Sequence, residues 1–151
     1  MSDVKDKHSV LVMTPDREFA SQFLALCRQH GQHTRVSACV SVSATMMLTS
    51  HIEPCMLLAD TCYGEPVLRQ LIRELKYENP YLVVILVGKQ GAELTQLTTQ
   101  VRANGSTSRD HADCIRLLRL LSSRPVNQGS GLTRPFIPWT MPPLQPRQVY
   151  S

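Results

Sequence analysis

The chain of 151 residues is 42% hydrophobic and 5% aromatic, and it carries a formal net charge of +4 at pH 7. This length suits one domain with a sizeable core, and no run approaches the roughly 18 apolar residues of a membrane span, which argues against membrane insertion. The first seven residues hold two lysines and two aspartates before a short apolar run, unlike a signal peptide. We therefore expect a cytoplasmic protein.

The cysteines and histidines show no pattern typical of a metal site. The five cysteines are odd in number and none forms a C-x-x-C pair, while the five histidines are scattered. Zinc sites usually have paired, closely spaced ligands. We therefore expect no metal site and no cofactor.

The positive charge is concentrated in residues 124–151, which hold three arginines and no acidic residue. The other 123 residues, with 13 basic and 12 acidic side chains, offer no basic stripe for nucleic acid, so we expect no direct nucleic-acid binding. Six prolines in the same C-terminal segment exclude helices and sheet ladders, which predicts an extended tail or linker. Its aromatic residues either anchor a partner or fold back on the domain: Phe136, Trp139 and Tyr150.

Strand and helix patterns alternate from the start of the chain. A short apolar strand is predicted over residues 9–13, followed by a helix that ends at Gly31. We expect Thr14 to be the N-cap of this helix and Pro15 its first residue. The apolar stripe of the helix consists of Phe19, Phe23, Leu26 and Cys27.

The next two predicted elements are a strand and a short helix. Residues 34–42 alternate between apolar and polar side chains, which predicts a strand near the edge of a sheet. Its apolar side consists of Val36, Ala38, Val40 and Val42. Residues 43–50 predict a helix whose packing residues are Met46, Met47 and Leu48.

The central stretch of the chain is an apolar run over residues 55–59 that ends abruptly at Asp60. Such a run, bounded by Pro54 and a charge, predicts a strand buried on both faces, as in the centre of a parallel sheet. Ligand sites in open α/β sheets lie outside the carboxyl ends of these strands, so Asp60 is a candidate site residue. The alternative is that Asp60 merely caps the following turn.

The second half of the chain repeats the alternation. Helices are predicted over residues 65–77, 92–103 and 111–121. An apolar strand covers residues 81–87 and ends at Gly88, and a polar fifth strand falls within residues 106–109.

Five strand–helix units predict an α/β fold: a flavodoxin-like, doubly wound five-stranded parallel sheet of order 2-1-3-4-5 with helices on both faces. We place the domain at residues 8–123, after a flexible N-terminus at residues 1–7. The switch point of this order lies between strands 1 and 3, so the loop at Thr14 and the carboxylate of Asp60 should converge on one crevice.

Residues 8–122 resemble a receiver domain of bacterial response regulators, which has the chemotaxis-type fold. The most specific match is the sequence Pro-Cys-Met-Leu-Leu-Ala-Asp at residues 54–60, which is similar to the family's stretch leading to the phosphoacceptor aspartate. Residues 102–106 look like the family's segment before strand 5, where a glycine precedes a small residue. The resemblance places Asp60 at the phosphoacceptor position.

The chain departs from the family at the positions that hold magnesium. The family's acidic pair after strand 1 falls here on Thr14 and Pro15, and Asp16 follows one position later at the start of the helix. Magnesium needs several hard oxygen ligands in near-octahedral geometry, so one carboxylate is a poor site.

The chain also departs from the family at the positions that respond to phosphorylation. The switch hydroxyl at the end of strand 4 corresponds to Val87 or Gly88, and the lysine after strand 5 falls near Ala112. Without these groups a phosphoryl group has no evident means to bias a two-state element. The resemblance therefore implies a pseudo-receiver without enzymatic activity. In it Asp60 is a vestigial phosphoacceptor that caps the next turn or accepts hydrogen bonds from the Thr14 loop.

Receiver-like domains without this chemistry act through their surfaces. The resemblance implies a phosphorylation-independent protein–protein interaction module in bacterial signalling, transcription regulation or assembly localisation. We expect a homodimer or a regulatory heteromer, formed through an apolar surface of the last two helices: Leu94, Leu97, Ile115 and Leu120. Two alternatives stay open, an active single-domain receiver phosphorylated at Asp60 and a small nucleotide- or phosphate-binding flavodoxin-like domain.

Overall fold

The computed structural model describes residues 8–30 and 34–122. The strands are β1 (His8–Met13), β2 (Thr34–Cys39), β3 (Met56–Asp60), β4 (Val83–Val87) and β5 (Gly105–Thr107). The helices are α1 (Arg17–His30), α2 (Val42–Ile52), α3 (Glu65–Glu78), α4 (Ala92–Val101) and α5 (His111–Ser122). A 3-10 turn, Thr61–Tyr63, follows β3.

Some of the predictions made above fall on parts of the chain outside the described residues. These are the N-terminal segment 1–7, the helix end at Gly31 and the proline-rich segment 124–151 with its three aromatic residues.

The five strands form one parallel sheet in the order β2-β1-β3-β4-β5, so the predicted topology is confirmed. The central strand β3 is buried at every residue, because helices cover both faces of the sheet. All carboxyl ends meet at one edge of the sheet, and β3 delivers Asp60 to that edge beside Val87 of β4.

Two apolar layers hold the helices against the sheet. One lies between the sheet and helices α1 and α5, and the other lies between the sheet and helices α2, α3 and α4. Alternate residues of each central strand enter opposite layers, since side chains along a strand point to opposite faces; Leu58 enters the first layer and Leu57 the second. The predicted stripe of α1 is buried in the first layer.

The start of α1 and the end of β2 differ from the predictions. Helix α1 begins at Arg17, and its N-cap is Asp16, whose Oδ1 accepts a hydrogen bond from the amide of Phe19 at 3.1 Å. Thr14 is therefore not the cap, because its hydroxyl is used elsewhere, and Pro15 precedes the helix. Strand β2 is an edge strand as predicted but ends at Cys39. Consequently Val40 lies in the following loop and Val42 in α2.

Helix α2 packs through only one of the three residues predicted. Leu48 is half-buried against the second layer, but Met46 and Met47 are exposed. The buried positions of the helix are Thr45 and Thr49. The prediction was wrong for the two methionines, because it assumed that the largest apolar side chains of the helix face the sheet.

The apolar surface predicted on the last two helices is only partly available. Leu94 is buried in the second layer, so its assignment to a surface is wrong. Leu97, Ile115 and Leu120 are half-buried and pack against the two layers, and their role in binding stays a prediction. None of the helices in the described part of the chain has the length and hydropathy needed to cross a bilayer.

Candidate functional site

Asp60 ends β3 at the carboxyl edge of the sheet, and its residue surface is only 2% exposed. A buried carboxylate is stable as an anion only if hydrogen bonds or positive charges replace the water it has lost. Three loops provide those groups, and they follow β1, β3 and β5. The site therefore forms where the sheet topology brings the ends of these strands together.

Both carboxylate oxygens of Asp60 are engaged by neighbouring groups. The Thr14 hydroxyl donates to Oδ2 at 2.7 Å, and the amide of Cys62 donates to Oδ1 at 2.9 Å. The guanidinium of Arg109 completes the set, with Nη2 at 2.5 Å from Oδ2. The prediction that Asp60 caps the next turn and accepts a hydrogen bond from the Thr14 loop is confirmed.

Arg109 reaches Asp60 from the loop between β5 and α5. Ser108 shapes this loop, since its hydroxyl donates to Oδ2 of Asp113 at 2.6 Å and accepts a bond from the amide of Asp110 at 3.0 Å. The Arg109 side chain is 41% exposed, and its Cζ lies 5.8 Å from the ring centroid of Phe19 on α1. The cation is thus held from both sides, by a carboxylate and by an aromatic face.

Asp16 places a second carboxylate near the same cation. Its Oδ2 lies 3.8 Å from Nε of Arg109, while its Oδ1 caps α1. The amide of Asp16 in turn donates to the Thr14 hydroxyl at 3.0 Å, so this hydroxyl both accepts and donates a hydrogen bond. The loop after β1 is thereby tied to Asp60 directly through Thr14 and indirectly through the shared arginine.

The balance of these interactions keeps Asp60 ionised. Burial alone would raise the pKa of Asp60, but the hydrogen bonds from Thr14, Cys62 and Arg109, together with the charge of Arg109, outweigh it and lower this pKa. The neighbouring thiol shifts the other way, because desolvation and then the charge of Asp60 raise the pKa of Cys62. A thiol that resists ionisation is a poor nucleophile, although it is exposed.

The end of β4 has no room for the side chain that a switch residue would carry. Val87 is part of the first apolar layer, and the amide of Gly88 donates to the carbonyl of Thr107 at 3.1 Å. A Cβ atom on Gly88 would lie 2.7 Å from Oγ1 and 2.9 Å from Cγ2 of Thr61. The side chain of Thr61, in the turn after β3, therefore fills the space beside Gly88.

The resemblance placed the family's basic residue after the fifth strand near Ala112, and this position was wrong. Ala112 is an exposed residue in the first turn of α5, and the cation that meets Asp60 is Arg109, earlier in the chain. Strand β5 has only three residues and a polar sequence, so its end could not be located from hydropathy. One signal was available: Arg109 is the first basic residue after the fifth strand, where the carboxyl-end rule puts ligand groups.

The arrangement does not fit a divalent cation. The family's magnesium would need several free carboxylate lone pairs, whereas Oδ2 of Asp60 already accepts bonds from a hydroxyl and a guanidinium and Oδ1 accepts one from an amide. The positive charge of Arg109 would also repel the ion. Elsewhere among the described residues, no group of three or more His, Cys, Asp or Glu side chains is placed to hold a metal.

Several solved structures similar to this one are receiver domains of response regulators. The signal receiver domain of a DNA-binding response regulator protein (merR) from Colwellia psychrerythraea 34H is 12% identical with a TM-score of 0.65, covering 78% of this chain and 100% of that chain. A CheY-like protein (tadZ) from Pseudomonas aeruginosa PAO1 is 15% identical with a TM-score of 0.62. The match covers 78% of this chain and 95% of that chain. These likenesses establish the receiver fold.

A third similar structure contains a protein partner. It is the receiver domain of the Saccharomyces cerevisiae response regulator Ssk1, crystallised with the histidine phosphotransfer protein Ypd1. The match is 10% identical with a TM-score of 0.57, covering 68% of this chain and 79% of that chain. No family model and no curated protein matches the sequence.

Proposed function

We propose that this chain is a receiver-like protein–protein interaction module that works without phosphorylation of Asp60. The observation that carries the proposal is the ion pair between Asp60 and Arg109, with 2.5 Å between Oδ2 and Nη2. An internal guanidinium lies where a metal ion would have to bind, and its positive charge neutralises the carboxylate.

The geometry disfavours Asp60 as a nucleophile. A carboxylate oxygen attacks phosphorus through a free lone pair. Oδ2 already accepts two bonds, from Thr14 and Arg109, and Oδ1, which accepts one from Cys62, keeps a single free lone pair. Phosphoryl transfer depends on positioning and charge stabilisation, and one missing stabilising donor typically costs about 3 kcal/mol of barrier. Here Thr14 and Pro15 stand where metal ligands would be needed.

The space beside Gly88 supports the same proposal. A response to phosphorylation requires a group that moves toward the phosphoryl oxygens and an element with two stable arrangements. Gly88 has no side chain to move, and Thr61 fills the adjacent space. A receiver fold that neither accepts a phosphoryl group nor responds to one still has surfaces that can bind other proteins. The receiver domain of Ssk1 is an example of this fold in complex with a protein partner.

The direct test is intact-mass measurement after incubation of the full chain with acetyl phosphate and magnesium. We expect no covalent adduct in the parent protein, and we expect its association state to be the same with and without the phosphodonor. The matched variant is Asp60→Asn, which keeps the side-chain shape and removes the nucleophile. Partner binding or self-association should be unchanged in this variant.

The active single-domain receiver is the competing function, and Arg109 is the group that would have to move. Its side chain is 41% exposed, so displacement toward solvent is sterically open. A stoichiometric adduct of about 80 Da, the mass of one phosphoryl group, would establish this function if it disappeared in Asp60→Asn. A ligand-dependent rise in melting temperature without covalent change would instead indicate a phosphate- or nucleotide-binding domain.

A further inference from the structure

Asn104 joins several elements at the amino edge of the sheet, the edge opposite to Asp60. It follows α4 and directly precedes β5. Its Oδ1 accepts a hydrogen bond at 2.7 Å from Nζ of Lys76, near the end of α3, and another at 2.8 Å from the amide of Val84 on β4. The amide of Asn104 donates to the carbonyl of Val84 at 2.8 Å, so the main chain and the side chain of Asn104 are both held in place.

The two donors at Oδ1 determine the orientation of the Asn104 side chain and polarise it. An ammonium group and a backbone amide only donate hydrogen bonds, so the atom between Lys76 and Val84 is the oxygen of Asn104 and not its nitrogen. Donors stabilise a negative charge that develops on a carbonyl oxygen when they lie about 2.7–3.1 Å from it. Both donors meet this condition, and they therefore favour attack of a nucleophile on Cγ of Asn104.

Gly105 supplies a nucleophile next to this polarised amide. Asn104 and Gly105 form the one Asn-Gly pair in the sequence. The backbone nitrogen that follows an asparagine can attack its Cγ, and glycine favours this attack because it has no Cβ to obstruct it and permits the necessary backbone rotation. Gly105 begins β5, which has only three residues and pairs only with β4 at the edge of the sheet. Such an edge opens locally at a lower free energy than the central strands.

Lys76 is a half-buried cation, and no carboxylate among the described residues forms an ion pair with it. Its Nζ donates instead to the neutral amide of Asn104. Burial lowers the pKa of Lys76, because desolvation disfavours the ammonium form. A carboxylate at position 104 would replace this neutral acceptor with an opposite charge at hydrogen-bond distance, and it would offset the cost of burying the cation.

We propose that Asn104 is a self-modification site, at which the folded chain converts this asparagine into aspartate or isoaspartate through the amide of Gly105. Hydroxide removes the amide proton of Gly105, and the nitrogen forms a bond to Cγ of Asn104 while negative charge collects on Oδ1 between Lys76 and Val84. The bond between Cγ and Nδ2 then breaks, and the leaving nitrogen takes a proton from water and departs as ammonia. Another water molecule opens the resulting succinimide ring at one of its two carbonyls.

The two products have different consequences for the domain. Opening at the side-chain carbonyl yields aspartate, whose carboxylate pairs with Lys76 and keeps an acceptor for the amide of Val84. Opening at the main-chain carbonyl yields isoaspartate, which lengthens the main chain by one carbon directly before β5. The loop after this strand carries Arg109, so isoaspartate formation displaces the strand that positions the partner of Asp60.

The first test is incubation of the full chain for several weeks at neutral pH, followed by peptide mass spectrometry that distinguishes asparagine, aspartate and isoaspartate. We expect position 104 to be converted before any other asparagine. Asn79 is the internal control, because the next residue is Pro80, whose nitrogen has no proton to lose. An intact Asn104 at the end of the incubation would overturn the proposal, and so would equal conversion of Asn79.

Substitution of Lys76 separates the effect of the fold from that of the Asn-Gly sequence. Lys76→Met keeps an unbranched side chain and removes the donor, so conversion in the folded protein should slow at least about tenfold, since loss of one such donor typically costs about a hundredfold or more. Lys76→Arg should retain most of the rate, because it restores a cationic donor. In concentrated urea, where the hydrogen bonds to Oδ1 are lost, the parent and Lys76→Met should react at equal rates. An equal or faster rate in folded Lys76→Met would overturn the proposal, because the hydrogen bond would then protect Asn104.

Two further variants keep the proposal testable if Lys76→Met fails to fold. Gly105→Ala leaves both donors in place and obstructs the nucleophile, so it should slow conversion severalfold, and an unchanged rate would exclude Gly105 as the attacking residue. Asn104→Asp reproduces one product directly and should raise the urea midpoint of unfolding at neutral pH, through the new ion pair with Lys76. A lower midpoint would contradict this pair. These measurements do not involve Asp60, so their failure is distinct from failure of the proposed function.

Discussion

Asp60 and Arg109 form an ion pair between partners of unequal exposure. The Asp60 side chain is 2% exposed, and that of Arg109 is 41% exposed. Removal of one member of a fully buried pair typically costs about 3–5 kcal/mol, whereas an exposed pair contributes about 0–1 kcal/mol. The free-energy cost of removing Arg109 should lie between these limits, since Asp60 keeps two other hydrogen-bond donors and water can approach from the side of Arg109.

Replacement of Arg109 by Gln should lower the free energy of unfolding by about 1–3 kcal/mol. The physical reason is that the buried carboxylate of Asp60 loses its only nearby positive charge among the described residues. Urea denaturation at neutral pH measures the effect. The denaturant slope should stay constant, because the same surface becomes exposed on unfolding.

Arg116 provides the matched control for this substitution. Its side chain is 48% exposed and pairs with Asp113 at 3.0 Å on α5. We expect Arg116→Gln to lower the free energy of unfolding by less than about 1 kcal/mol, because Arg116 is exposed to water although Asp113 is only 15% exposed. Equal effects of the two substitutions would show that Arg109 has no special role at Asp60.

At the scale of secondary structure, the central strands and the position of Asp60 follow from the sequence. A run of apolar residues that ends in a carboxylate is compatible with few environments, and β3 occupies the expected place between β1 and β4. The meeting of Thr14 with Asp60 follows from topology, because parallel strands end at one edge. These features depend on hydropathy and connection rules alone.

Arg109 and α2 could not be predicted in the same way. The loop that carries Arg109 follows a polar strand of three residues. Hydropathy therefore does not show where this strand ends or which residue of the loop reaches Asp60. The rotation of α2 against the sheet depends on tertiary contacts, such as the 3.0 Å contact between Oγ1 of Thr45 and Sγ of Cys39 on β2. A rule that buries the larger apolar side chain selects Met47 over Thr49 and therefore fails for this helix.

The contact between Gly88, after β4, and Thr61, in the turn after β3, gives a prediction for these two elements. Gly88→Ala should lower the free energy of unfolding by about 1–3 kcal/mol, the usual range for overpacking. The added Cβ would approach Oγ1 of Thr61 to 2.7 Å, and one of the two elements must shift to relieve it. Thermal or urea denaturation measures the loss.

A double-mutant cycle tests whether Thr61 is the cause. Thr61→Ala removes the two atoms that would lie closer than 3.0 Å to the new Cβ and leaves Cδ1 of Leu94 at 3.4 Å, so Gly88→Ala should cost much less in the Thr61→Ala background. An interaction energy of about 1 kcal/mol or more is expected from residues in direct contact. Additive effects of the two substitutions would place the strain elsewhere.

At the scale of the whole molecule, the ionised state of Asp60 makes stability depend on pH. The folded-state pKa of Asp60 is lowered, so the unfolded chain takes up this proton first as the pH falls. The stability that Asp60 contributes is therefore fully present above its unfolded pKa of about 3.9. It is lost progressively as the pH falls from there through the lower folded value.

We expect this loss to appear in the difference between the parent protein and Asp60→Asn. Free energies of unfolding measured in urea from about pH 6 to about pH 3 should converge as the pH falls through the acidic range. At neutral pH the parent should be the more stable protein, because the variant cannot pair with Arg109. A difference that is independent of pH over this range would contradict an ionised, stabilised Asp60.

The contacts at Asp60 also bear on how long the domain stays folded. They join residues that are 46 and 49 positions apart in the chain, across three loops. Closure of such long loops is costly before the sheet exists, and Asp60 loses its water only when β1, β3 and β5 are aligned. The bonds should therefore form after the folding transition state and slow unfolding more than they speed folding. The contacts at Asp60 should therefore prolong the lifetime of one folded arrangement of the three loops.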